Sequence, residues 1–371
     1  MNDVYILDTN VITPLGKGVE NVYEAIRAGR TSIAEYRFPK SPLPPYFVSK
    51  FSEDETDNFR QLNEGSLLEN AIVEAAGPIM SKIDHSDLKK TILIVATTKG
   101  NIDQINSNSS QSLISLAKNI TGLLQIPNKP LVVSNACASG VSALLVAQNL
   151  LQSDKYQYAL VCGGDLLTEF VLSGFHAFQA VSKGPCKPYD KNRSGMTPGE
   201  GIGTFLISRS PVKMNGKSYS FQGSQANDAN HISGPSRTGR GLQKAIREAM
   251  RHTGVSNEEI SALNCHGTGT IYNDEMEAIA LNKTGLADTP INSYKGAFGH
   301  CFGAAGLIES AICLEQMKRN EVLPSMGFSE VGTSMELTIP VNSLPLSNLD
   351  CSLKTSSGFG GNNSAVIFKK S

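Results

Sequence analysis

Apolar residues along this chain fall into two alternating patterns. Short runs rich in β-branched residues occur at Val4–Asp8, Thr91–Ala96, Leu131–Ser134, Tyr158–Cys162, Gly203–Ser208, Ser218–Gln222, Ala262–Cys265, Ile291–Tyr294 and Ser364–Lys369. Their length and composition predict β-strands. Between them lie longer stretches, at Val19–Ala28, Leu67–Ile83, Leu113–Leu124, Val141–Leu151, Leu242–Thr253, Glu275–Asn282 and Gly303–Arg319, whose apolar positions keep a helical period. Alternation of this kind predicts an α/β protein with mixed, largely parallel sheets. Glycine, proline and asparagine gather at the joints, where turns need them.

The pattern also repeats. Leu131–Ser134 runs into NACASG and an apolar helix, and Ile291–Tyr294 runs into KGAFGHCFGAAG and another. GEGIGTFLISRS at 199–210 and GFGGNNSAVIFKKS at 358–371 each feed a glycine turn into a strand. Two duplicated halves are therefore expected, 1–210 and 211–371, meeting near Pro211–Gly216. Turns that follow strands in such units lie at the carboxyl edge of a sheet, where sites form. The polar tract NSNSSQS (Asn106–Ser112) reads as a mobile surface loop.

Composition narrows the function. Lys+Arg 33 against Asp+Glu 34 gives a net charge of −1, without the basic excess of a nucleic-acid binder. Apolar residues at 40% exclude disorder for the bulk of the chain. No apolar stretch reaches the roughly 18 residues a membrane-spanning helix needs. MNDVYILDTNVITPLG lacks a basic leader and an apolar core, so no secretory signal is expected. Seven cysteines without a CxxC pair point to reduced thiols in the cytoplasm rather than disulfides.

Among these, Cys137 stands between a strand and a helix, in VSNACASG, with small neighbours that allow close approach of a substrate. A helix amino terminus lowers a thiol's pKa, so a nucleophile is one reading and a buried structural cysteine the other. Cys162, Cys265 and Cys313, inside strands or helices, read as structural. His266 in NCHGTGT and His300 in FGHCFGAAG occupy the same kind of strand-end position as Cys137. Cys265, His266, His300 and Cys301 do not read as a zinc site, because adjacent residues on extended chain point to opposite faces. Lys295, if buried, needs a counter-ion; Asp274, Glu277 and Glu309 are the candidates.

NACASG around Cys137, PYDKNRSGMTPGEGIG at 188–203, CHGTGT around His266, KGAFGHCFGAAG with Lys295 and His300, and the final GFGGNN together resemble the β-ketoacyl-acyl carrier protein synthases. These are elongating condensing enzymes of the thiolase-fold superfamily. TPLGKGVENVYEAIRAGRTSI near the start fits as well, so the resemblance spans nearly the whole chain. It implies a thiolase-like fold of two duplicated α/β halves with mixed sheets in an α-β-α-β-α layering, usually as a homodimer. It implies a triad mapped onto Cys137, His266 and His300, with Phe359 as a gate and backbone N–H groups of Cys137 and Phe359 as an oxyanion hole. Lys295, with Asp274, Glu277 and Glu309, matches the polar cluster behind the histidines, and a Lys295 network is expected to set their tautomers. Thr268 and Thr270 match threonines that hold a pantetheine arm.

The implied partners are acyl carrier protein and malonyl and acyl thioesters; no cofactor and no metal is called for. Lys183 and Lys187 are the expected docking residues for the acidic carrier. The chain departs from the family pattern at ILDTNVITPLG, Met196, Ile271, Cys301 and Asn362, which points to a specialised fatty-acid or polyketide-type pathway. The alternative is a silent chain-length-factor subunit of a heterodimer, which would lack the nucleophile. A thiolase would carry a second catalytic cysteine, an initiating synthase an asparagine in place of His300, and a cysteine hydrolase would leave one histidine idle.

Overall fold

In the computed structural model the predicted alternation becomes one continuous mixed sheet enclosing two buried helices. The structure describes residues 3–39, 41–105, 112–211 and 216–371. Most of the predicted loop at Asn106–Ser112, and the stretch 212–215 within the predicted junction, lie outside the described residues. The main strands are β1 Val4–Thr13, β2 Thr91–Ala96, β3 Leu131–Val133, β4 Tyr158–Asp165, β5 Gly201–Ser208, β6 Tyr219–Asn227, β7 Ala262–Asn264, β8 Ile291–Asn292, β9 Cys351–Gly358 and β10 Asn362–Lys370. The helices are α1 Val19–Arg27, α2 Glu53–Leu62, α3 Leu67–Met80, α4 Leu113–Leu123, α5 Ser139–Gln152, α6 Glu169–Ala177, α7 Arg240–Thr253, α8 Ile271–Thr284, α9 Lys295–Phe298 and α10 Ala305–Arg319.

Strand order shows the repeat. From one edge the sheet reads β3-β2-β4-β5-β1, then β6-β10-β9-β7-β8 to the other edge. Read inward, both runs place their third, second, fourth, fifth and first strands in the same sequence. In both, the outer three strands are parallel and the next two pairings antiparallel. A short antiparallel contact between β1 and β6 joins the runs.

Helices α5 and α10 both touch strands of both runs, so they form the central layer. That position explains why α10 is buried from Ala305 through Met317 rather than along one stripe. Gly140 and Gly306 make the close crossing possible. A Cβ at Gly140 would lie 2.8 Å from Leu307 N, and one at Gly306 2.8 Å from Val141 N. Helix α3 covers one outer face and α7 the other. Side-chain caps start α2 and α3, where Ser52 with Glu55 and Ser66 with Glu69 satisfy the first free N–H groups.

Four of these elements were not foreseen: α2, α6, the short α9 and β9. Helices α2 and α6 carry weak apolar stripes, and α6 leaves Phe170 exposed. Strand β9 reads CSLKTSSG, too polar for a buried strand by pattern, yet Cys351–Ser357 is buried throughout. The expected strand Ile291–Tyr294 ends at Asn292, because Tyr294 caps α9.

Candidate active site

Cys137 lies in the tight turn between β3 and α5. Ala136 takes a left-handed φ of 48°, a sparsely populated conformation for a residue with a Cβ. Ser139 holds it there: its hydroxyl donates to the Ala136 carbonyl at 2.6 Å and accepts the Asn135 N–H at 2.8 Å. Helix α5 begins only at Ser139, with Ala138 as its cap. Across the sheet, Ser356 Oγ of β9 donates to the Cys137 carbonyl at 3.1 Å. A Cβ on Gly358 would sit 3.0 Å from Cys137 N, so glycine there keeps the space before that N–H open.

His266 follows β7 on the loop Cys265–Thr270. Two carboxylates of α8 hold this loop from below. Glu277 accepts the backbone N–H of His266 at 2.8 Å and of Gly267 at 2.6 Å, and Asp274 accepts those of Thr268 at 3.0 Å and Gly269 at 3.1 Å. Tyr189 adds its hydroxyl to Glu277 and its N–H to Asp274. His300 follows α9, pinned by its N–H on the Thr197 carbonyl at 2.7 Å. Its Nδ1 accepts the Phe302 N–H at 3.2 Å, so the ring proton sits on Nε2, which has no partner among the described residues. The two imidazoles meet edge to face with centroids 5.1 Å apart. One donor atom each of Cys137, His266 and His300 lies within 4.8 Å of the others. Among the described residues this is the one histidine, cysteine and carboxylate group compact enough to grip an ion. One nitrogen of His300 is already taken by Phe302.

Behind the rings is a charged cluster without solvent access. Lys295 Nζ lies 2.5 Å from Glu309 Oε1 and donates to the His266 carbonyl at 2.5 Å. Glu309 Oε2 pairs with Lys354 Nζ at 2.7 Å. Of the three expected counter-ions for Lys295, only Glu309 serves; Asp274 and Glu277 are committed to backbone N–H groups, which an extended glycine-bearing loop leaves unpaired. The expected role of Lys295 in setting ring tautomers is corrected too. The His300 tautomer is set by Phe302 N–H, and Lys295 reaches a carbonyl rather than a ring.

A third, partly buried cation, Lys99, pairs with Asp165 at 3.1 Å and lies 3.8 Å over the Phe302 ring, which stacks on His300. Asp165 also accepts the Gly303 N–H at 2.7 Å, fixing the turn beyond His300.

Electrostatics overturn the helix-dipole expectation for the thiol. Burial pushes Cys137 up to about 11, with Lys295 and Lys99 pulling partly back. Burial also drives both histidines well below their usual value, helped by Lys295. At neutral pH the site holds a thiol and two neutral imidazoles.

All three heads open into a cavity of about 330 Å³. Phe359 stands over it, packed against Phe175 at 6.0 Å and Phe178 at 5.7 Å. Thr268 and Thr270 line it with their hydroxyls 2.9 Å apart. So do Met196 and Ile271, two positions where the chain departs from the family pattern. Asn362, another, donates to the Phe359 carbonyl at 3.2 Å. Cys301 turns away, its thiol on the Glu200 carbonyl. Lys183 is exposed and Lys187 half-buried; neither lines the cavity, though Ala180 just before them does. Sequence reasoning missed Lys99, Asp165, Phe175, Phe178 and Lys354. Tyr189 lay within a motif already noted and was findable; Lys354, in a polar strand, carried no signal.

Two family models match the chain: the beta-ketoacyl synthase N-terminal domain over residues 81–212 and the C-terminal domain over 219–329. The chain is 27% identical to 3-oxoacyl-[acyl-carrier-protein] synthase 2 of Synechocystis, covering 99% of this chain and 98% of that one. It is 24% identical to a putative mitochondrial 3-oxoacyl-[acyl-carrier-protein] synthase of Schizosaccharomyces pombe, covering 100% and 99%. Among solved structures, a ketosynthase of Xenorhabdus doucetiae in complex with its chain length factor superposes with a TM-score of 0.88 at 25% identity, covering 100% of this chain and 98% of that one.

Proposed function

The chain belongs to the beta-ketoacyl synthase family, and from that premise we propose that it joins an acyl group held on Cys137 to a malonyl unit on acyl carrier protein, releasing carbon dioxide and 3-oxoacyl carrier protein. The carrying observation is the meeting of one sulfur and two imidazoles within 4.8 Å at the base of a cavity.

The raised thiol must lose its proton when substrate arrives, and His266, whose Nδ1 has no partner among the described residues, is the imidazole free to accept it. The thiolate attacks the acyl thioester carbonyl, and the proton passes to the departing carrier thiol. Backbone N–H groups of Cys137 and Phe359 hold the oxyanion, a role for which Gly358 keeps space. Malonyl thioester then loses carbon dioxide. The electron pair of the broken bond moves onto the thioester as an enolate, whose oxygen takes hydrogen bonds from the histidines, His300 through Nε2. The enolate carbon attacks the acyl-cysteine carbonyl, and the Cys137 thiolate leaves.

Intact-mass measurement after incubation with a panel of acyl carrier proteins tests this. An acyl adduct on the native chain, absent from Cys137→Ala, is expected. No adduct from any acyl carrier would favour the silent-subunit reading, against which Cys137 and both histidines speak. A preference within the panel for chains other than straight saturated ones would support a specialised pathway, the reading that Met196 and Ile271 in the cavity wall favour.

Several finer features belong to the same proposal. Residues 1–210 and 211–371 form the two halves, a division supported by the strand order. The chain works as a dimer, with itself or with a related subunit; the edge strand β3 exposes Leu131, and native mass spectrometry reads the state. Lys183 and Lys187 guide the carrier to the rim. A cytoplasmic setting agrees with seven free thiols and is checked by cell fractionation. Among the described residues no helix is long and apolar enough to cross a membrane.

A further inference from the structure

Strand β9 brings an unforeseen lysine to the back of the site. Lys354 is fully buried, its ammonium 2.7 Å from Glu309 Oε2 and donating to the Thr355 carbonyl at 2.7 Å. Glu309 is also fully buried, and its other oxygen is taken by Lys295. One lysine would have balanced this carboxylate. The second sets two ammonium groups on one carboxylate, where water cannot screen them.

Among the described residues no second carboxylate touches either ammonium. The Lys99–Asp165 pair is neutral in itself, and Glu277, a buried carboxylate with a charge of its own, turns its oxygens to backbone N–H groups, Tyr189 and Thr355 rather than to a lysine. The rings of His266 and His300 line the cavity while the two lysines and Glu309 do not, and both rings are held toward their neutral forms by burial first, then by Lys295 and, further down, Lys354. Desolvating a second ammonium beside a carboxylate that already has one works against folding, so its place beside a reaction centre has a functional reading.

We propose that Lys354 is a positioning residue for the condensation: acting through Glu309 and Lys295, its ammonium keeps a positive charge behind His266 and His300 that favours the negative charge formed on the malonyl thioester oxygen as carbon dioxide leaves, and keeps both imidazoles as neutral donors. This rests on the condensing function proposed above. Acyl transfer to Cys137 places its negative charge on the oxyanion at the Cys137 and Phe359 N–H groups instead, so the two half-reactions separate the role.

The test measures carbon dioxide release from malonyl-acyl carrier protein and, separately, acyl loading by intact mass, in the native chain and in Lys354→Met. Losing the ammonium should lower kcat for decarboxylation about tenfold or more, with KM within about twofold and acyl loading within about threefold. The acid limb of the decarboxylation profile should also move to higher pH, because the imidazoles then protonate more readily. Lys354→Gln, which keeps a donor for the Thr355 carbonyl without the charge, should behave alike. Equal loss in both half-reactions, an unmoved acid limb, or a failure of both variants to fold would each overturn the proposal. A native chain that releases no carbon dioxide would instead sink the condensing reading itself.

Discussion

At Cys137 two influences oppose each other, and their balance corrects the sequence argument. A helix start and two ammonium groups favour the thiolate; burial among apolar and uncharged atoms favours the thiol and wins, placing the group near 11. In the proposed reaction, activation therefore falls to a neighbouring base rather than to a resting thiolate. The sulfur, both histidines and Phe359 were legible because each sits in a glycine-rich turn with its own signature. Lys354 and Lys99 were not: a single lysine in a polar stretch looks like a solvent-facing charge until the fold buries it. Lys183 and Lys187 remain the docking residues to examine at this scale. Replacing both with glutamate should raise KM for carrier-bound substrate several-fold at low salt, since acidic carriers are drawn by rim charges that salt screens. A small-thioester substrate should be unaffected; an equal effect on both would remove the docking role.

Strand β9 shows how an element can escape a reading based on hydrophobic pattern. Its polar residues are buried because each has a partner: Lys354 on Glu309, Thr355 on Glu277, Ser356 on the Cys137 carbonyl and Ser357 on Asn363. A strand serving the site on one side is built from hydrogen-bonding residues, so alternation is lost. The central helices were legible, but their crossing was not. Because Val141 N lies 2.8 Å from a Cβ placed on Gly306, Gly306→Ala must push α10 away from α5. The cost should be about 1–3 kcal/mol, seen as a lower Tm. Since α5 begins beside Cys137 and α10 follows His300, acyl loading should slow as well. An unchanged Tm would show that the crossing relaxes freely.

Over the whole molecule, buried titrating groups couple the site to stability. His266 and His300 have folded pKa values below the unfolded value of about 6.5. Below that pH the unfolded chain binds protons the folded one refuses, so stability falls with acidity, by about 1.4 kcal/mol per pH unit for each histidine. Asp274 acts the other way. Burial raises it to about 6 from an unfolded 3.8, so between those values the folded state binds the extra proton and gains stability as pH falls. The net expectation is a clear loss from pH 6.5 downward, softened below 6 by Asp274. Urea unfolding from pH 7.5 to 5 checks it: the midpoint should drop, and drop less when both histidines are replaced by asparagine. A flat midpoint would mean the imidazoles protonate freely in the folded state.

Local sequence was enough for the alternation of strands and helices, for the repeat of one supersecondary pattern, and for placing one thiol and two imidazoles at strand-end turns. These are written in local spacing, where strand period, helix period and turn chemistry act over a few residues. The tertiary structure alone decided which carboxylate serves which cation, which backbone N–H sets the His300 tautomer, and that the thiol is held protonated. Those depend on how the turns fold these side chains against one another, over separations from two residues to several dozen, and on how completely water is excluded from them, quantities that no local pattern encodes.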